Sequence, residues 1–331
     1  MRVAICIGTF RRLDLLRELL AGVSGLTFRR TSAPKIKVII VDNDPSGSAQ
    51  GVCKSADIRF PLKYVIEGRR GIAQVRNRAV REAGVVDFLA FIDDDEIPTA
   101  GWLDELLWAR SEYKAEIVAG LVKPEFSAGV PEWVRTGRFF ERPEFQTGSL
   151  LEKCSTNNAL VSSEVFASVS GFDEQFQLTG GEDTHFFLRA RRAGFKIVWS
   201  QEALVSETIS LDRANLRWIL HRGFQSGNSW VFCERSLDAR PQLPFARFVK
   251  GSVHLLTGTA SLLISLFLGR AAIAKSVQKA CLGAGMLAGL FGHKYLAYES
   301  AGIAFMKELP DGTKGGQHNP ATRRDFLHGD A

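Results

Sequence analysis

The sequence predicts an α/β fold with a mostly parallel central sheet and flanking helices, on three observations. Residues 3–8, 36–41 and 88–92 are short apolar runs, the second interrupted only by Lys37, of the kind that fill strands buried on both faces. Between them lie segments with apolar residues at helical spacing, as in Leu13, Leu15, Leu16, Leu19 and Leu20. Strands alternating with helices imply right-handed crossovers and parallel neighbours, and in such sheets ligands bind in the crevice beyond the carboxyl ends of the strands.

Taken in order, the strand at 3–8 runs into a polar loop, Thr9-Phe10-Arg11-Arg12, and then the Leu-rich helix. The strand at 36–41 ends in Asp42-Asn43-Asp44-Pro45-Ser46-Gly47-Ser48, a turn-rich loop that opens on an acid. Gly68 and Gly71 mark a tight loop before a helix whose apolar face is Ile72, Val75, Ala79 and Val80. Arg69, Arg70 and the first turn of that helix suit a phosphate, and equally suit a solvated helix surface. After the strand at 88–92 come a helix at 102–108 and a strand at 115–122. An irregular stretch follows at 123–153, rich in Pro and aromatic residues, of the kind that forms a lid or substrate loop. A strand at 154–161 precedes Gly180-Gly181-Glu182-Asp183-Thr184-His185, which opens a helix with Phe186, Phe187 and Ala190 inward. A strand at 195–199 and a helix at 211–227 complete this part. His185, a lone histidine, reads as a surface residue.

The chemistry concentrates in Asp93-Asp94-Asp95-Glu96, four carboxylates at the end of a buried strand. Like charges packed there need neutralising, and a divalent cation with oxygen ligands does so. Strand alternation would put Asp93 and Asp95 on one side and Asp94 on the other, offering two hard ligands to one metal. A solvated turn closed by Pro98 is the alternative. Glu182 and Asp183 are either first-turn acids that complement a helix dipole or, in one of them, a general base at the rim of the crevice.

Composition bounds the rest. A chain of 331 residues with 45% hydrophobic content buries a sizeable core. A net charge of +6 suits anionic partners, but the basic residues are dispersed, which argues against nucleic acid. Five scattered cysteines without CxxC spacing indicate reduced thiols rather than disulfides or zinc. No secretory leader pattern opens the chain, so the catalytic part is expected in the cytoplasm. Residues 251–269 are 19 positions without Asp, Glu, Lys or Arg, and as a helix they reach about 28 Å, marginal for a bilayer. With 280–292, a shorter apolar stretch, they are expected to lie in or dip into the cytoplasmic leaflet; a packed soluble hairpin is the alternative. Gly285 and Gly289 would let these two helices approach closely. Residues 307–331 are polar and expected to be disordered.

Residues 3–12, 38–42, 71–77, 91–95 and 181–183, in that order, resemble the family 2 glycosyltransferases of GT-A fold, in particular the bacterial succinoglycan-type exopolysaccharide glucosyltransferases. The resemblance spans roughly residues 1–230. It implies a GT-A catalytic domain at 1–235, a helical membrane-associating region at 236–306 and the tail at 307–331. Thr9 and Arg11 would line the nucleotide pocket, Asp42 would meet uracil or ribose, and Arg76 would lie near the diphosphate. Asp93 would touch ribose or a metal-bound water, and Asp94 belongs to the same nucleotide-sugar site. Asp95 would bind Mg²⁺ or Mn²⁺ directly, with Asp93 as its partner acid. Asp183 would deprotonate the acceptor, with Glu182 beside it. Where many relatives carry a histidine, this chain reads Val205-Ser206-Glu207-Thr208, so a third metal ligand there would be Glu207. The implied activity is inverting transfer of a hexose from a nucleotide-diphosphate sugar, a UDP-sugar by resemblance, to a lipid-linked saccharide at the cytoplasmic face of the inner membrane. Two readings compete with it. A nucleotidyltransferase would want a Gly-rich loop where Thr9-Phe10-Arg11-Arg12 stands, and a non-catalytic membrane adaptor would not need Asp95.

Overall fold

The computed structural model describes residues 1–237 and 242–296; the expected disordered tail at 307–331 lies outside the described residues. Eight strands form one sheet in the order β3-β2-β1-β4-β7-β6-β8-β5, the strands being numbered along the chain. The first half contains the expected β1 (Arg2–Thr9), α1 (Leu13–Ser24), β2 (Lys35–Asp42), α3 (Ile72–Ala83) and β4 (Phe88–Ile92), and adds α2 (Gln50–Ser55) and β3 (Leu62–Ile66), which no sequence pattern marks. These four strands are parallel wherever they pair. The apolar runs of β1 and β4 are unbroken because both faces are covered, whereas β2 is interrupted by Lys37 and β3 is half-exposed. Val3, Ile5 and Ile7 join one core cluster with α1, while Ala4 and Cys6 join the other with α3.

The second half departs from the mostly parallel pattern. It comprises β5 (Glu96–Pro98), α4 (Trp102–Tyr113), β6 (Ile117–Phe126), α5 (Glu132–Thr136), β7 (Asn158–Ser162), α6 (Ser163–Val169), α7 (Glu182–Arg192) and β8 (Ile197–Ile209). β7 runs antiparallel to both β4 and β6, and β5 antiparallel to β8, so the sheet is mixed. β6 and β8 are parallel and longer than their apolar runs suggest, with a register shift between Gly120 and Leu121. Past Glu202, β8 alternates buried and half-exposed positions, which is why its apolar run stops early in the sequence. Residues 126–140 pack with the end of β8 into a third cluster, in which Phe140 stacks on Trp218 at 5.2 Å.

Three helices complete the described chain: α8 (Leu216–Leu237), α9 (Gln242–Ser265) and α10 (Arg270–Leu290). α8 starts later and ends later than the helix expected at 211–227. α10 packs against both α8 and α9. Gly285 and Gly289 do not serve the α9–α10 contact as expected. A Cβ on Gly285 would lie 2.1 Å from the Phe224 carbonyl oxygen of α8, and Gly289 faces Asn228 and Val231 of the same helix. Gly258 and Gly283 make the α9–α10 approach instead. Among the described residues no helix is long and apolar enough to cross a membrane. The apolar stretch at 251–269 is divided: α9 starts upstream, carries Arg247 and Lys250, and ends at Ser265 before a turn.

Candidate active site

The strand order reverses beside β1, because α1 leads toward β2 whereas α3 returns the chain to β4. The carboxyl ends of β1 and β4 therefore open onto one crevice. A small cavity there is lined by Cys6, Gly8, Val75, Arg76, Phe91 and Asp93, among others.

The acidic run does not alternate as a strand would. β4 stops at Ile92, and Asp94 and Asp95 lie in the turn before β5. In consequence they share a partner: one Arg12 nitrogen is 2.9 Å from Asp94 Oδ1 and 2.9 Å from Asp95 Oδ2. Thr9 Oγ1 donates to Asp94 Oδ2 at 2.8 Å. Asp93 faces Arg76 at 3.5 Å and keeps 41% of its side chain exposed, so it stays open to a ligand. Arg213 donates to Asp95 Oδ2 at 2.8 Å and to Glu207 at 2.6 Å, while Arg142 holds the other Glu207 oxygen at 2.9 Å. Glu96, buried, accepts from Asn157 and from the Asp93 amide.

This is a surplus of buried negative charge. Burial pushes the Asp95 carboxyl up to about 6 against the pull of Arg12, with Asp93, Asp94 and Glu207 adding to the rise. Burial, and then Asp93, raises Glu96 well above the carboxylate range. Burial would raise Glu207 too, but Arg142 and Arg213 outweigh it and hold it low. Among the described residues no three His, Cys, Asp or Glu side chains are gathered to hold a metal ion. Asp93 and Asp95 are hard oxygen donors, and two such carboxylates suit Mg²⁺ or Mn²⁺ where substrate phosphate oxygens complete the shell.

Beyond the carboxyl ends of β1 and β2, Arg11 pairs with Asp44 at 2.7 Å. Asp42 is fully buried, and its oxygens accept from the Asp44 and Ala49 amides and the Tyr64 hydroxyl. It thereby fixes the loop that presents Asn43 and Asp44.

The helix α7 begins at Glu182, behind Gly181 in the left-handed region at φ 93°. A side chain at Gly181 would press on Ser229 and Cys233 of α8. That helix locks the corner: Gln225 and Ser229 donate to the Thr179 carbonyl, and Cys233 donates to that of Gly181. Glu182 is buried and ion-paired with Arg76, which also reaches Asp93. Arg76 thus ties the start of α7 to the acidic turn. Burial raises the Glu182 carboxyl, opposed by Arg76 and helped by Asp183. Asp183 is half-buried, and one of its oxygens accepts from the Thr184 amide at 2.6 Å. Glu182 is committed to Arg76, which leaves Asp183 the more open carboxylate at the helix start. His185 is buried rather than at the surface, its ring 4.5 Å from that of Phe176.

The structure thus brings together Thr9, Arg76, Asp93, Asp94, Asp95 and Glu182, with Asp183 next to Glu182 in the first turn of α7 and Arg11 and Asp42 on adjoining loops. Sequence reasoning missed the cations on the acidic turn. Arg12 stands in the loop after β1, and the unmatched acidic run is its signal. Arg142 and Arg213 come from distant segments, and no local pattern marks them.

A mixed sheet of this topology, with flanking helices and an acidic turn at the carboxyl end of its central strand, is the architecture of a GT-A glycosyltransferase. The model of the glycosyl transferase family 2 matches residues 4–169. The chain is 30% identical over 300 residues to the succinoglycan biosynthesis protein ExoM of Rhizobium meliloti, covering 89% of this chain and 94% of that one. It is 24% identical over 243 residues to the glucosyl-dolichyl phosphate glucuronosyltransferase of Haloferax volcanii, covering 69% and 75%. Among solved structures, the mannosyltransferase PcManGT of Pyrobaculum calidifontis, in complex with GDP-Man and Mn²⁺, superposes with a TM-score of 0.61 at 17% identity, covering 88% of this chain and 87% of that one. The chain belongs to glycosyl transferase family 2.

Proposed function

We propose that this glycosyltransferase moves a hexose from a UDP-sugar to a lipid-linked saccharide during exopolysaccharide assembly, with inversion at the anomeric carbon, at the cytoplasmic face of the membrane. The observation that supports the proposal is Arg76, which contacts both Asp93 of the acidic turn, taken as the donor side, and Glu182 at the start of α7, taken as the base side. The relationship to a succinoglycan biosynthesis protein supports the pathway class.

Asp93 and Asp95 would hold Mg²⁺ or Mn²⁺ together with the donor's phosphate oxygens. Bound there, the cation would offset negative charge on the departing diphosphate. The protein's own groups do the rest. Arg76 and Arg12 add positive charge beside the leaving group. Thr9, Arg11 and the loop fixed by Asp42 seat the nucleoside. Asp183 takes the proton of the attacking hydroxyl as the new bond forms on the sugar face opposite the leaving group, which inverts the centre. The helices α9 and α10 serve the membrane. From 239 to 297 the sequence has seven Lys or Arg and no Asp or Glu, and α9 exposes Phe248, Val253, Leu256, Leu263 and Ile264. That combination suits an anionic lipid surface.

The test is a panel of nucleotide sugars with Mg²⁺ or Mn²⁺ and a lipid extract as acceptor, scored by nucleotide release and by the anomeric configuration of the product. Asp183→Asn and Asp95→Asn are each expected to lower kcat/KM by about 10²-fold or more. Turnover unchanged in both variants, or a retained configuration, would refute it.

A further inference from the structure

The acceptor side of the site carries a cluster of cations with no role in the scheme above. Lys153, in the exposed approach to β7, holds its ammonium 3.6 Å from the centre of the Trp230 ring on α8. Arg247 of α9 lies over the same ring at 5.8 Å and pairs with Glu234. Lys250, exposed on α9 about one turn further, acts on the Lys153 charge, and so does Asp183. Lys153 and Arg247 therefore flank one indole, and Lys250 follows Arg247 by three residues on the same side of α9, so three cations come together from two segments. Asp183 and Glu234 balance two of them. The Trp230 Nε1 and Arg247 Nε donors are buried here without hydrogen-bond partners, as is Glu234 Oε2, whose carboxylate is held through its other oxygen by Arg247. An uncompensated positive charge and two idle donors mark a place for an anion.

We propose that Lys153, Arg247 and Lys250 bind the phosphate groups that join the acceptor saccharide to its lipid. This rests on the lipid-linked acceptor proposed above and adds where that acceptor is held. The helix that brings Arg247 and Lys250 also exposes Phe248, Val249 and Val253, so one element offers the phosphate contact and an apolar path for the lipid. The saccharide then spans from this cluster to Asp183.

The experiment uses the full chain in neutral detergent, with farnesyl diphosphate, farnesol and inorganic pyrophosphate as probes, in the presence of saturating UDP and Mn²⁺ to occupy the donor side. Trp fluorescence and calorimetry report binding, and thermal melting confirms that each variant is folded. Farnesyl diphosphate is expected to bind more tightly than farnesol or pyrophosphate. Lys153→Met and Lys250→Met are each expected to weaken it about tenfold, the loss of one charge-assisted contact, without changing farnesol. Unchanged affinity in both variants, equal binding of farnesol, or equal displacement by phosphatidylglycerol would overturn the assignment. The two proposals fail separately. Lipid-linked acceptors glycosylated with an unchanged KM in both variants would end the phosphate site alone. Lysine-dependent farnesyl diphosphate binding in an enzyme that glycosylates only lipid-free saccharides would end the lipid-linked acceptor alone.

Discussion

At the scale of single residues, His185 shows how the fold sets a titration that the sequence does not announce. Burial first, and then Arg189, holds its imidazole down to about 4 against the pull of Asp173, whereas the unfolded chain gives an ordinary value near 6.5. Unfolding therefore takes up a proton between these values. The stabilising contribution is fully present above about 6.5 and is lost as pH falls toward 4, on the order of 2–3 kcal/mol in all. His185→Phe keeps a ring against Phe176 and removes the titration. Melting curves of wild type and variant between pH 7 and pH 4.5 are expected to diverge, with the wild type losing more; parallel curves would refute the assignment. The acidic turn follows the same logic. Its carboxylates were legible as a run, but their arrangement was not, because alternation holds only while the strand lasts and β4 ends at Ile92. Arg213, 118 positions from Asp95, comes within 2.8 Å of it through the fold alone.

At the scale of elements, what could be read depended on burial symmetry. β1, β2 and β4 are covered on both faces and announce themselves as apolar runs. β8 is half-exposed past Glu202, so only Ile197, Val198 and Trp199 of this thirteen-residue strand fall in the stretch expected at 195–199. β7 reverses the sheet direction, and nothing in its composition separates an antiparallel strand from a parallel one. The small residues of α10 were legible as contact residues but not their partner. Gly285 meets the Phe224 carbonyl, backbone against backbone, and such a contact cannot yield by rotating a side chain. Gly285→Ala is expected to cost about 1–3 kcal/mol of stability, read as a lower melting temperature. It should also lower kcat, because α8 carries the Ser229 and Cys233 bonds that fix the start of α7. A variant with wild-type melting would show that α8 and α10 are not packed this closely.

At the scale of the whole molecule, the catalytic crevice and the outer face of α9 make different demands on solvent. The crevice concentrates carboxylates and the arginines that pair with most of them, and charge pairs of that kind weaken little with salt when buried. α9 does the opposite: it leaves Leu263 and Ile264 about two-thirds exposed, and Phe267 in the following turn is 90% exposed. Large apolar side chains so placed are worth roughly 1.5–3 kcal/mol each on full burial, and the neighbouring Lys and Arg residues add roughly 1 kcal/mol apiece near an anionic surface. The two contributions separate by salt and by substitution. Flotation with phosphatidylglycerol vesicles is expected to recover the protein at low salt and less of it at high salt, with weaker recovery on phosphatidylcholine throughout. Leu263→Glu combined with Phe267→Glu should reduce partitioning by more than about tenfold at any salt, since it removes two apolar anchors and places acids against acidic lipid. Recovery unchanged by the double substitution, or a wild type that pairs with its own copies through this face and ignores vesicles, would remove the membrane from the proposed function.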